Sequence, residues 1–382
     1  MGWRSGRRPR RVAIVRLSAI GDAVLIVPLV ETLKRALPGV EITWVIGREA
    51  YGIVEGLPGV EFIVIDKPRC ARHYMEFASR MRGRYFDVVL GLHSSFRSNT
   101  LYPLMPAGVK IGYDHQRSRG FQWFFMNRKI PYARQNLLDR FFSFLEALGI
   151  DGRVERWELP IGPEDDAWVQ QQIPGGRGPV VAIHPAASRP ERNLATERYS
   201  LLADEIVERW GGRVVLTGGC DPAERQLGEA VRSGARSKPT NLVGRTTLKQ
   251  MAAVLKRADC VVAPDTCAIH IAGALGTPVV GLYAVAPSWL TGGWASPELV
   301  IDHFSEAARR FAGWRGQNFR WRWRVHDPRC MSLIQPEEVL EKLALVLDRK
   351  KQPRDAPEPV SVDQEDDCGR LAIGNAPNAS GW

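Results

Sequence analysis

Short apolar segments alternate along this chain with longer amphipathic segments. The apolar segments have strand length and cover residues 12–17, 42–46, 62–65, 87–92, 180–184, 213–217, 241–243, 260–263 and 279–283. The amphipathic segments have helix length and cover residues 23–37, 72–81, 136–148, 196–210, 222–233, 248–256, 268–275 and 336–347. This alternation predicts βαβ units, and strands of nearly continuous Val, Ile and Leu predict parallel sheets that are buried on both faces.

The pattern stops once and then starts again, which predicts two domains. A polar passage, residues 150–163, separates the halves, and the sequence PGGRGP at 174–179 marks the turn into the second sheet. We therefore predict an α/β protein with two Rossmann-like, doubly wound domains that face each other across a cleft. The amino-terminal domain would cover residues 1–155 and the carboxy-terminal domain residues 156–350. Residues 351–382 are polar and Pro-rich, which predicts a disordered tail.

The composition is typical of a globular protein in a reducing compartment. Hydrophobic residues make up 45% of the 382 residues and charged residues 25%, which excludes a fibrous or wholly disordered chain. No segment approaches the ~20 uninterrupted apolar residues of a transmembrane helix, and a predicted strand follows the basic amino terminus where a signal peptide would need its apolar region. The six cysteines are scattered without a CxxC pair, so neither a disulfide framework nor a zinc site is indicated. We expect a cytoplasmic protein.

Asp22 is the first candidate for chemistry, in the loop that joins the first predicted strand to the first helix. Ligands of open α/β sheets bind at the carboxyl ends of the strands, so residues 18–22 should face the cleft. The loop has only one glycine, Gly21, and therefore lacks the GxGxxG dinucleotide pattern. Asp22 fits two roles: an N-cap that satisfies the helix start, or a general base that points into the cleft.

A second candidate site follows the predicted strand 260–263, where the sequence PDTCAIH opens a helix. The backbone N–H groups of a helix start bind anions such as a diphosphate, and Thr266 can add a hydroxyl donor. Asp265 would repel a phosphate, so it is better suited to accept hydrogen bonds from sugar hydroxyls or from the helix backbone. His270 lies one turn after Thr266 on the same face, although a lone histidine on a helix is more often a satisfied core or surface residue.

Two further strand ends of the second half carry polar loops. After residue 184, small residues that include Ser188 open a loop with Arg189 and Arg192, and an arginine fork matches phosphate oxygens. The loop after residue 217 is glycine-rich and leads into a helix. If these loops converge with the PDTCAIH segment, the second domain binds a nucleotide-diphosphate carrier. The alternative is that the arginines belong to a solvated charged loop.

Taken together, these motifs resemble glycosyltransferase family 9, the bacterial heptosyltransferases, over about residues 11–348. The matching segments are RLSAIGDAVLIVP, PGVEITWVIG, FDVVLGLHSSFRS, KIGYD, VAIHPAASRPERNLATERY, VVLTGG, NLVGRTTLKQMAAVLKRAD, PDTCAIHIAGALGTPVVGLY and CMSLIQPEEVLEKL. The Gly-Asp element and the Asp-Thr-x-x-x-His element are weak signals singly. They are specific jointly, because they occur in this order and in these structural contexts.

The resemblance implies a GT-B fold and inverting transfer of a heptose from ADP-heptose to an inner-core sugar of lipopolysaccharide. It implies that Asp22 is the catalytic base and that Arg192 meets the donor diphosphate. Thr246 falls where the family places an adenine-pocket residue, and Glu224 is a candidate for the ribose. The full set of expected donor-binding residues is Ser188, Arg192, Glu224, Thr246, Asp265, Thr266, Cys267 and His270. No cofactor is required beyond the nucleotide-sugar donor; no metal ligands are expected, and Mg²⁺ is compatible with this chemistry.

Two features depart from the family pattern. Cys267 stands where a glycine usually follows the Asp-Thr pair, so a side chain occupies the place where a phosphate would approach bare backbone. The segment 309–326 is unusually rich in Trp and Arg and matches no pattern of the family.

A basic and aromatic segment, residues 110–129, indicates contact with an anionic partner. The chain has a formal charge of +10, and in this segment Lys and Arg are interleaved with Phe and Trp. Such a surface suits an anionic glycolipid and an anionic membrane leaflet, and it also fits a nucleic-acid surface or a solvated basic face. We favour peripheral attachment to the cytoplasmic face of the inner membrane, with no nucleic-acid partner. The expected contacts to carboxylates or phosphates of the acceptor are Arg69, Arg72, Arg117 and Arg119.

Two other functions stay open on the sequence alone. One is a nucleotide-sugar transferase or epimerase of the same fold that uses UDP. The other is a non-catalytic protein that presents its basic face to lipid or nucleic acid. An Asp22→Asn variant separates an enzyme from a binding protein, since only an enzyme loses turnover.

Overall fold

The computed structural model describes residues 8–314 and 323–351, and this part of the chain contains two parallel β-sheets of six strands each. The first sheet contains β1 (Arg11–Arg16), β2 (Glu41–Gly47), β3 (Val60–Ile65), β4 (Phe86–Leu90), β5 (Ala107–Gly112) and β6 (Arg128–Lys129). The second contains β7 (Val180–Ile183), β8 (Arg213–Leu216), β9 (Thr240–Asn241), β10 (Cys260–Pro264), β11 (Val279–Tyr283) and β12 (Ile301–Asp302). The predicted α/β fold with two doubly wound sheets is confirmed.

The two sheets have the same strand order. The first runs β3-β2-β1-β4-β5-β6, and the second, read in the same sense, runs β9-β8-β7-β10-β11-β12. In each half the order reverses direction beside the first strand, between β1 and β4 and between β7 and β10. Open α/β sheets bind ligands in the crevice outside the carboxyl ends of the strands at such a reversal. Each half therefore has one expected binding position.

Helices connect the strands on both faces of the sheets. They are α1 (Ile20–Ala36), α2 (Arg48–Tyr51), α3 (Ala71–Met81), α4 (Phe96–Asn99), α5 (Leu137–Glu146), α6 (Pro163–Gln172), α7 (Thr196–Trp210), α8 (Pro222–Gly234), α9 (Leu248–Arg257), α10 (Cys267–Ala274), α11 (Ser288–Thr291), α12 (Phe304–Ala312) and α13 (Pro336–Lys351). Among the described helices, none combines the length and the apolar character that crossing a bilayer requires.

The structure differs from the sequence prediction at the less regular elements. Strand β5 was not predicted, because its sequence AGVKIG interrupts the apolar pattern with two glycines and a lysine. Strand β9 lies at Thr240–Asn241 where 241–243 was predicted, and β6 and β12 contain only two residues each. Helix α12 was missed at the start of the Trp/Arg-rich segment, although Phe304, Ala307 and Ala308 bury one helical face there.

The two halves are joined by direct helix packing. One continuous apolar cluster contains residues of α1 from the first half together with residues of α9 and α10 from the second. Between the halves, the Trp157 ring stacks on Trp294 with centroids 4.5 Å apart, and Trp157 Nε1 donates a hydrogen bond to the Val24 carbonyl in α1. The polar passage between the domains is therefore attached to both of them.

Some of the predictions lie outside the described residues. These are the basic amino terminus as far as residue 7, the central part of the Trp/Arg-rich segment at 315–322, and the tail apart from Lys351, the last residue of α13. The division into domains at residues 155 and 156 stays a prediction.

Candidate active site

Asp22 lies in the first turn of α1, where the chain leaves the carboxyl end of β1. The helix begins earlier than the sequence predicted, so the N-cap is Ala19 and Asp22 is the third residue of the helix. The carboxylate of Asp22 accepts a hydrogen bond from the Ala19 N–H at 2.8 Å. This contact is the reciprocal half of a capping box, so Asp22 stabilises the helix start without being the N-cap itself.

Arg16, the last residue of β1, holds the same carboxylate. Its guanidinium forms an ion pair with Asp22 and donates a second hydrogen bond to the Leu92 carbonyl, and both side chains of the pair are only 12% exposed. Burial raises the pKa of Asp22, but the Arg16 charge and the Ala19 N–H outweigh burial and leave this pKa below its ordinary value. Asp22 is therefore ionised throughout the neutral pH range.

Asp22 and Arg16 line a cavity of about 210 Å³ in the amino-terminal half. Two further arginines line it, Arg117 and Arg140, and among the residues that the structure describes Asp22 is the only acidic one of the lining. Burial lowers the pKa of Arg140 to about 10, which leaves this guanidinium charged at neutral pH. Arg16 pairs with Asp22 and Arg117 pairs with Asp114, so three arginines and two carboxylates leave one net positive charge at the cavity. The cavity is therefore suited to an anionic group whose hydroxyl reaches Asp22.

The structure separates the four arginines predicted to contact an acceptor. Arg117 lines the cavity, but it is fully buried, it pairs with Asp114 and it donates to Gln135 Oε1 at 3.1 Å. Arg119 is exposed on the loop next to the cavity residue Ser94, whose hydroxyl accepts from the Arg119 N–H at 2.6 Å.

Arg69 and Arg72 are not among the lining residues of the cavity. They lie near the start of α3, beyond the carboxyl end of β3, and Arg72 pairs with Glu76 on the helix surface at 2.7 Å. All four assignments to the acceptor stay predictions.

The donor-binding residues predicted around the PDTCAIH segment converge at the start of α10. Thr266 is the N-cap of this helix, and its side chain makes no capping hydrogen bond. Arg192, at the end of a short 3₁₀ turn after β7, donates to the Asp265 carbonyl at 3.1 Å and lies 3.2 Å from an Asp265 carboxylate oxygen. Asp265 thus holds the guanidinium of Arg192 against the helix start, which by itself attracts anions.

Several buried polar atoms at this place have no partner among the described residues. Arg192 Nε and His270 Nδ1 are buried there without a hydrogen bond. Burying such groups unpaired is unfavourable by about 1–3 kcal/mol each, so native proteins pair them with a ligand or with water. The helix start, Arg192 and His270 together have the character of an anion and sugar site.

The two candidate sites meet through Gly21 and His270. A Cβ atom added to Gly21 would lie 2.4 Å from Cδ2 of His270, so the absence of a side chain at Gly21 allows α1 and α10 to approach. Burial lowers the pKa of His270, and the charges of Asp265 and Asp22 oppose this shift, which places His270 within electrostatic reach of both carboxylates. The start of α1 therefore faces the start of α10 across the junction of the halves.

The remaining predicted donor residues surround this position less closely. Glu224 accepts a hydrogen bond from the Gly219 N–H at 2.6 Å, and its charge reaches Cys267 at the start of α10. Burial raises the pKa of the Cys267 thiol to about 11, so the side chain that replaces the usual glycine is neutral. Thr246 is half-buried just before α9, and Ser188 is exposed on the loop after β7.

The sequence interpretation missed three arginines. Arg16 could have been found, because it ends a strand whose loop was already singled out. Arg140 offered no signal, since it lies on α5 among phenylalanines. Arg324 lies in the unassigned Trp/Arg-rich segment; burial lowers its pKa, and the charges of Arg192, Arg119 and Arg189 lower it further. The charge of Asp265 opposes this shift, so Arg324 lies within electrostatic reach of charged residues of both halves.

The arrangement combines one ionised carboxylate, a cationic cavity beside it and an anion-binding helix start opposite. Such a set can remove a proton from a hydroxyl group held in the cavity while it binds a phosphate-bearing group on the other side. Within residues 8–314 and 323–351, no group of three or more His, Cys, Asp or Glu side chains could hold a metal ion.

Comparisons with known proteins point to the same family from a family model and from individual relatives. The family model described as glycosyltransferase family 9 (heptosyltransferase) matches residues 74–311. The lipopolysaccharide core heptosyltransferase OpsX of Haemophilus influenzae is 29% identical over 337 residues, covering 88% of this chain and 96% of that protein. Lipopolysaccharide heptosyltransferase 3 of Escherichia coli K12 is 25% identical over 278 residues, covering 69% of this chain and 79% of that protein.

Solved structures share the fold. The family 9 glycosyl transferase of Veillonella parvula aligns with a TM-score of 0.73 and 21% identity, covering 89% of this chain and 97% of that one. The Escherichia coli heptosyltransferase WaaC, solved with ADP, aligns with a TM-score of 0.64 and 22% identity, covering 88% of this chain and 99% of that one.

Proposed function

The chain belongs to glycosyltransferase family 9, the heptosyltransferases of lipopolysaccharide core biosynthesis, and from this premise we propose that it transfers a heptose from ADP-heptose to an inner-core sugar. The proposal goes beyond the family membership in three respects: the donor, the acceptor and the roles of the residues. Relatives of this chain act in the same biosynthesis, and a neighbour of the same fold was solved with ADP.

One observation carries the proposal: the starts of α1 and α10 meet where the two halves join. Asp22 lies on one side of this meeting point, and the orphaned polar atoms of Arg192 and His270 lie on the other. A base on one domain and a donor site on the other is the arrangement that transfer between two bound sugars requires. Direct packing of the two helices also excludes water from the place of reaction.

In the proposed reaction, Asp22 takes the proton from an acceptor hydroxyl as its oxygen attacks the anomeric carbon of the heptose. Attack comes from the face opposite the diphosphate, so the configuration at this carbon is inverted. The bond from the anomeric carbon to the diphosphate oxygen breaks, and its electron pair leaves with ADP. Arg192 and the N–H groups at the start of α10 stabilise the departing negative charge, which removes the need for a second catalytic acid.

The acceptor fits the cationic cavity. Arg16, Arg117 and Arg140 give this space an excess of positive charge, which suits a carboxylate or phosphate on the acceptor sugar. An anionic, lipid-linked acceptor also places the enzyme at the cytoplasmic face of the inner membrane, where such a glycolipid is exposed to it.

Substitution of Asp22 by Asn tests the proposal. We expect turnover of ADP-heptose and acceptor to fall on the order of a hundred- to ten-thousandfold, because the base is lost. Binding of ADP should persist, since the donor site lies on the other domain. Asp66→Asn, at an exposed carboxylate, is the control and should keep full activity.

Thermal shifts with ADP, UDP and GDP measure the choice of nucleotide. Stabilisation by ADP above the other two supports the proposed donor. Preference for UDP, or unchanged turnover in the Asp22→Asn variant, would overturn the proposal.

A further inference from the structure

Large apolar side chains are exposed on two neighbouring loops of the amino-terminal half. Phe96 in α4 is 68% exposed, and Phe121 and Phe124 on the loop after β5 are 64% and 72% exposed. Trp123 lies beside Phe124, with ring centroids 6.2 Å apart. We call these four residues the aromatic patch. Their burial in water-free surroundings would be favourable, so their joint exposure marks an interaction site.

Hydrogen bonds and backbone contact connect the two loops that carry the patch. The side-chain amide of Asn99 donates to the carbonyls of Arg119 and Gly120 at 2.6 and 2.7 Å. A Cβ atom on Gly120 would lie 2.5 Å from the Phe96 nitrogen, so the two loops are in direct backbone contact. The patch is therefore presented by a fixed pair of loops, and ordering it costs little entropy on binding.

Phe121, on the loop after β5, has an unusual backbone conformation, and its side chain is exposed. Phe121 has a φ of +62°, in the left-handed region that bulky residues rarely adopt. The preceding residue, Gly120, also has a positive φ. An unfavourable backbone conformation that leaves a large apolar side chain in water indicates that the exposed position itself is useful.

The stretch of chain that carries the patch, residues 91–136, has charges that are almost entirely positive. Residues 91–136 contain seven Lys and Arg residues but only one acidic residue, Asp114. That single carboxylate is paired with the buried Arg117. The basic residues of this stretch that are exposed are Arg97, Arg119, Lys129 and Arg134.

The patch adjoins the cavity that contains Asp22. Ser94 lines this cavity, and its hydroxyl donates to the carbonyl of Arg119 on the loop of the patch at 3.1 Å. Both loops follow the carboxyl ends of strands, β4 for Phe96 and β5 for the others. Whatever binds the patch therefore lies at the entrance to the cavity.

We propose that the aromatic patch inserts into the interfacial region of an anionic phospholipid bilayer and brings the cavity to the membrane surface. Phenylalanine side chains carry no polar atom that insertion would desolvate, and the surrounding Lys and Arg side chains attract anionic headgroups. This inference deepens the proposed function, because it supplies the means by which the enzyme reaches a lipid-linked acceptor.

Vesicle sedimentation tests the patch directly. Sonicated vesicles of phosphatidylethanolamine and phosphatidylglycerol are compared with vesicles of phosphatidylcholine. The wild-type chain should sediment with the anionic vesicles. The Phe96→Ser/Phe124→Ser double variant should bind them with an affinity lower by a factor of at least about ten, because apolar burial is lost. The control is Tyr85→Ser, an exposed aromatic just before β4, at the amino end of that strand and so at the opposite end from the patch, which should bind like the wild type. Circular dichroism and thermal unfolding verify that all three proteins fold.

Activity measurements separate this inference from the proposed function. With a deacylated, water-soluble acceptor, the double variant should keep the wild-type kcat/KM, whereas with acceptor embedded in vesicles its kcat/KM should fall at least as much as its binding. A wild-type chain that is inactive on the soluble acceptor would contradict the proposed function, while sedimentation would still test the patch. The inference would be overturned if the wild-type chain did not bind anionic vesicles, or if the double variant bound them as well as the wild type. It would also be overturned if the wild-type chain bound a single-stranded RNA oligonucleotide instead of the vesicles.

Discussion

For the proposed role of Asp22 as a base, its carboxyl group must be ionised, and Arg16 secures this condition in a buried place. Burial alone would favour the protonated carboxyl group, which cannot accept a proton from an acceptor hydroxyl. The ion pair with Arg16 reverses this preference and fixes the orientation of the carboxylate between α1 and β1. In the proposed reaction, Arg16 is thus a positioning residue, since it would act on the reaction through Asp22.

Arg16→Gln should move the acid limb of the kcat/KM profile to higher pH. Without the guanidinium charge, burial dominates and the pKa of Asp22 rises, so the base is lost by protonation at a pH where the wild type is still active. Arg16→Lys keeps the charge and should stay closer to the wild-type profile. The measurement is kcat/KM between pH 4 and pH 8; a profile of unchanged shape in Arg16→Gln would contradict this role.

Arg119→Glu should weaken use of the acceptor far more than binding of the donor. Arg119 is exposed beside the cavity entrance, where a reversed charge repels an anionic acceptor. We expect kcat/KM for the acceptor to fall about ten- to a hundredfold, the size of a lost charged hydrogen bond, with the Kd of ADP nearly unchanged. Arg82→Glu, at the far end of α3, is the control. Equal losses for acceptor and donor would count against an acceptor role.

His184 makes the stability of the carboxy-terminal half depend on pH. This histidine is buried at the end of β7, its Nδ1 lies 3.1 Å from Thr217 Oγ1, and burial lowers its pKa to about 4. The unfolded chain therefore binds the proton first, and the folded state loses stability as pH falls from about 6.5 to 4, by at most about 3 kcal/mol. Urea unfolding at several pH values measures this loss, which should be smaller in His184→Gln; parallel curves for both proteins would exclude His184 as its source.

At the scale of residues, the predicted strand ends indicated where the candidate residues should lie. Asp265 and Asp22 follow a predicted strand end by two and five residues, and His270 and Arg192 follow one by seven and eight. The structure brings these four side chains to one junction, and their roles stay predictions. Arg140 and Arg324 could not be predicted, because a helix and an irregular segment deliver them from distant parts of the chain and only tertiary burial gives them their character.

Among the elements, α1 and α10 form the contact on which the site depends. Their approach requires that no side chain is present at Gly21. Gly21 admits His270, and Gly273 allows Ala295 and Trp294 to pack against the other side of α10, with the Ala295 Cβ only 2.7 Å from an added Cβ. Gly273 belongs to the run of small residues after His270, which allows close packing on this part of α10.

Gly21→Ala should lower both stability and activity. The added methyl group overlaps His270, so the helices must separate or the imidazole must turn away, at a cost of about 1–3 kcal/mol. Gly152→Ala is the matched control, because nothing lies within 4 Å of a Cβ at that position. Thermal unfolding and kcat measure the two effects. If Gly21→Ala behaved like the control, the contact between α1 and α10 would not hold the site.

The long, regular elements could be predicted and the short ones could not. Buried strands of the first half and amphipathic helices such as α7 and α9 carry strong periodic patterns. By contrast, β5 was not predicted, because two glycines and a lysine interrupt its apolar pattern. The edge strands β6, β9 and β12 contain two residues each, which is too short for any period; β6 and β12 were not predicted, and β9 was predicted at 241–243. Such edge elements form because a neighbouring strand offers unpaired N–H and C=O groups, which is information from the tertiary fold.

On the scale of the whole molecule, two sheets of identical strand order are joined by the apolar cluster that spans both halves and by contacts of individual side chains. Besides α1 and α10, the stacked Trp157 and Trp294 join the segment between the domains to the carboxy-terminal half. The guanidinium of Arg134 lies 4.8 Å from the centroid of the Trp289 ring, across the junction of the halves. Tryptophans thus supply two of the contacts that fix the relative position of base and donor site.

Trp157→Ala should loosen the two halves. It removes the stacking on Trp294 and the hydrogen bond to Val24, and for a half-buried tryptophan we expect a loss of about 2–3 kcal/mol, less than in a full core. Differential scanning calorimetry should record a lower Tm and a less cooperative transition. Trp123→Ala, at an exposed tryptophan, should leave the calorimetric trace unchanged; a wild-type trace for Trp157→Ala would show that the stack does not couple the halves.

The glycine at the head of α1 has a consequence for recombination between relatives. Consider a chimera that combines the amino-terminal half of this enzyme with the carboxy-terminal half of another family member. Its two halves can pack as they do here only if the incoming half places an imidazole against Gly21. Under the proposed function, a chimera that keeps this contact would combine the acceptor preference of one parent with the nucleotide preference of the other. Exchange in which a larger residue meets the histidine would yield two folded lobes without a shared catalytic centre.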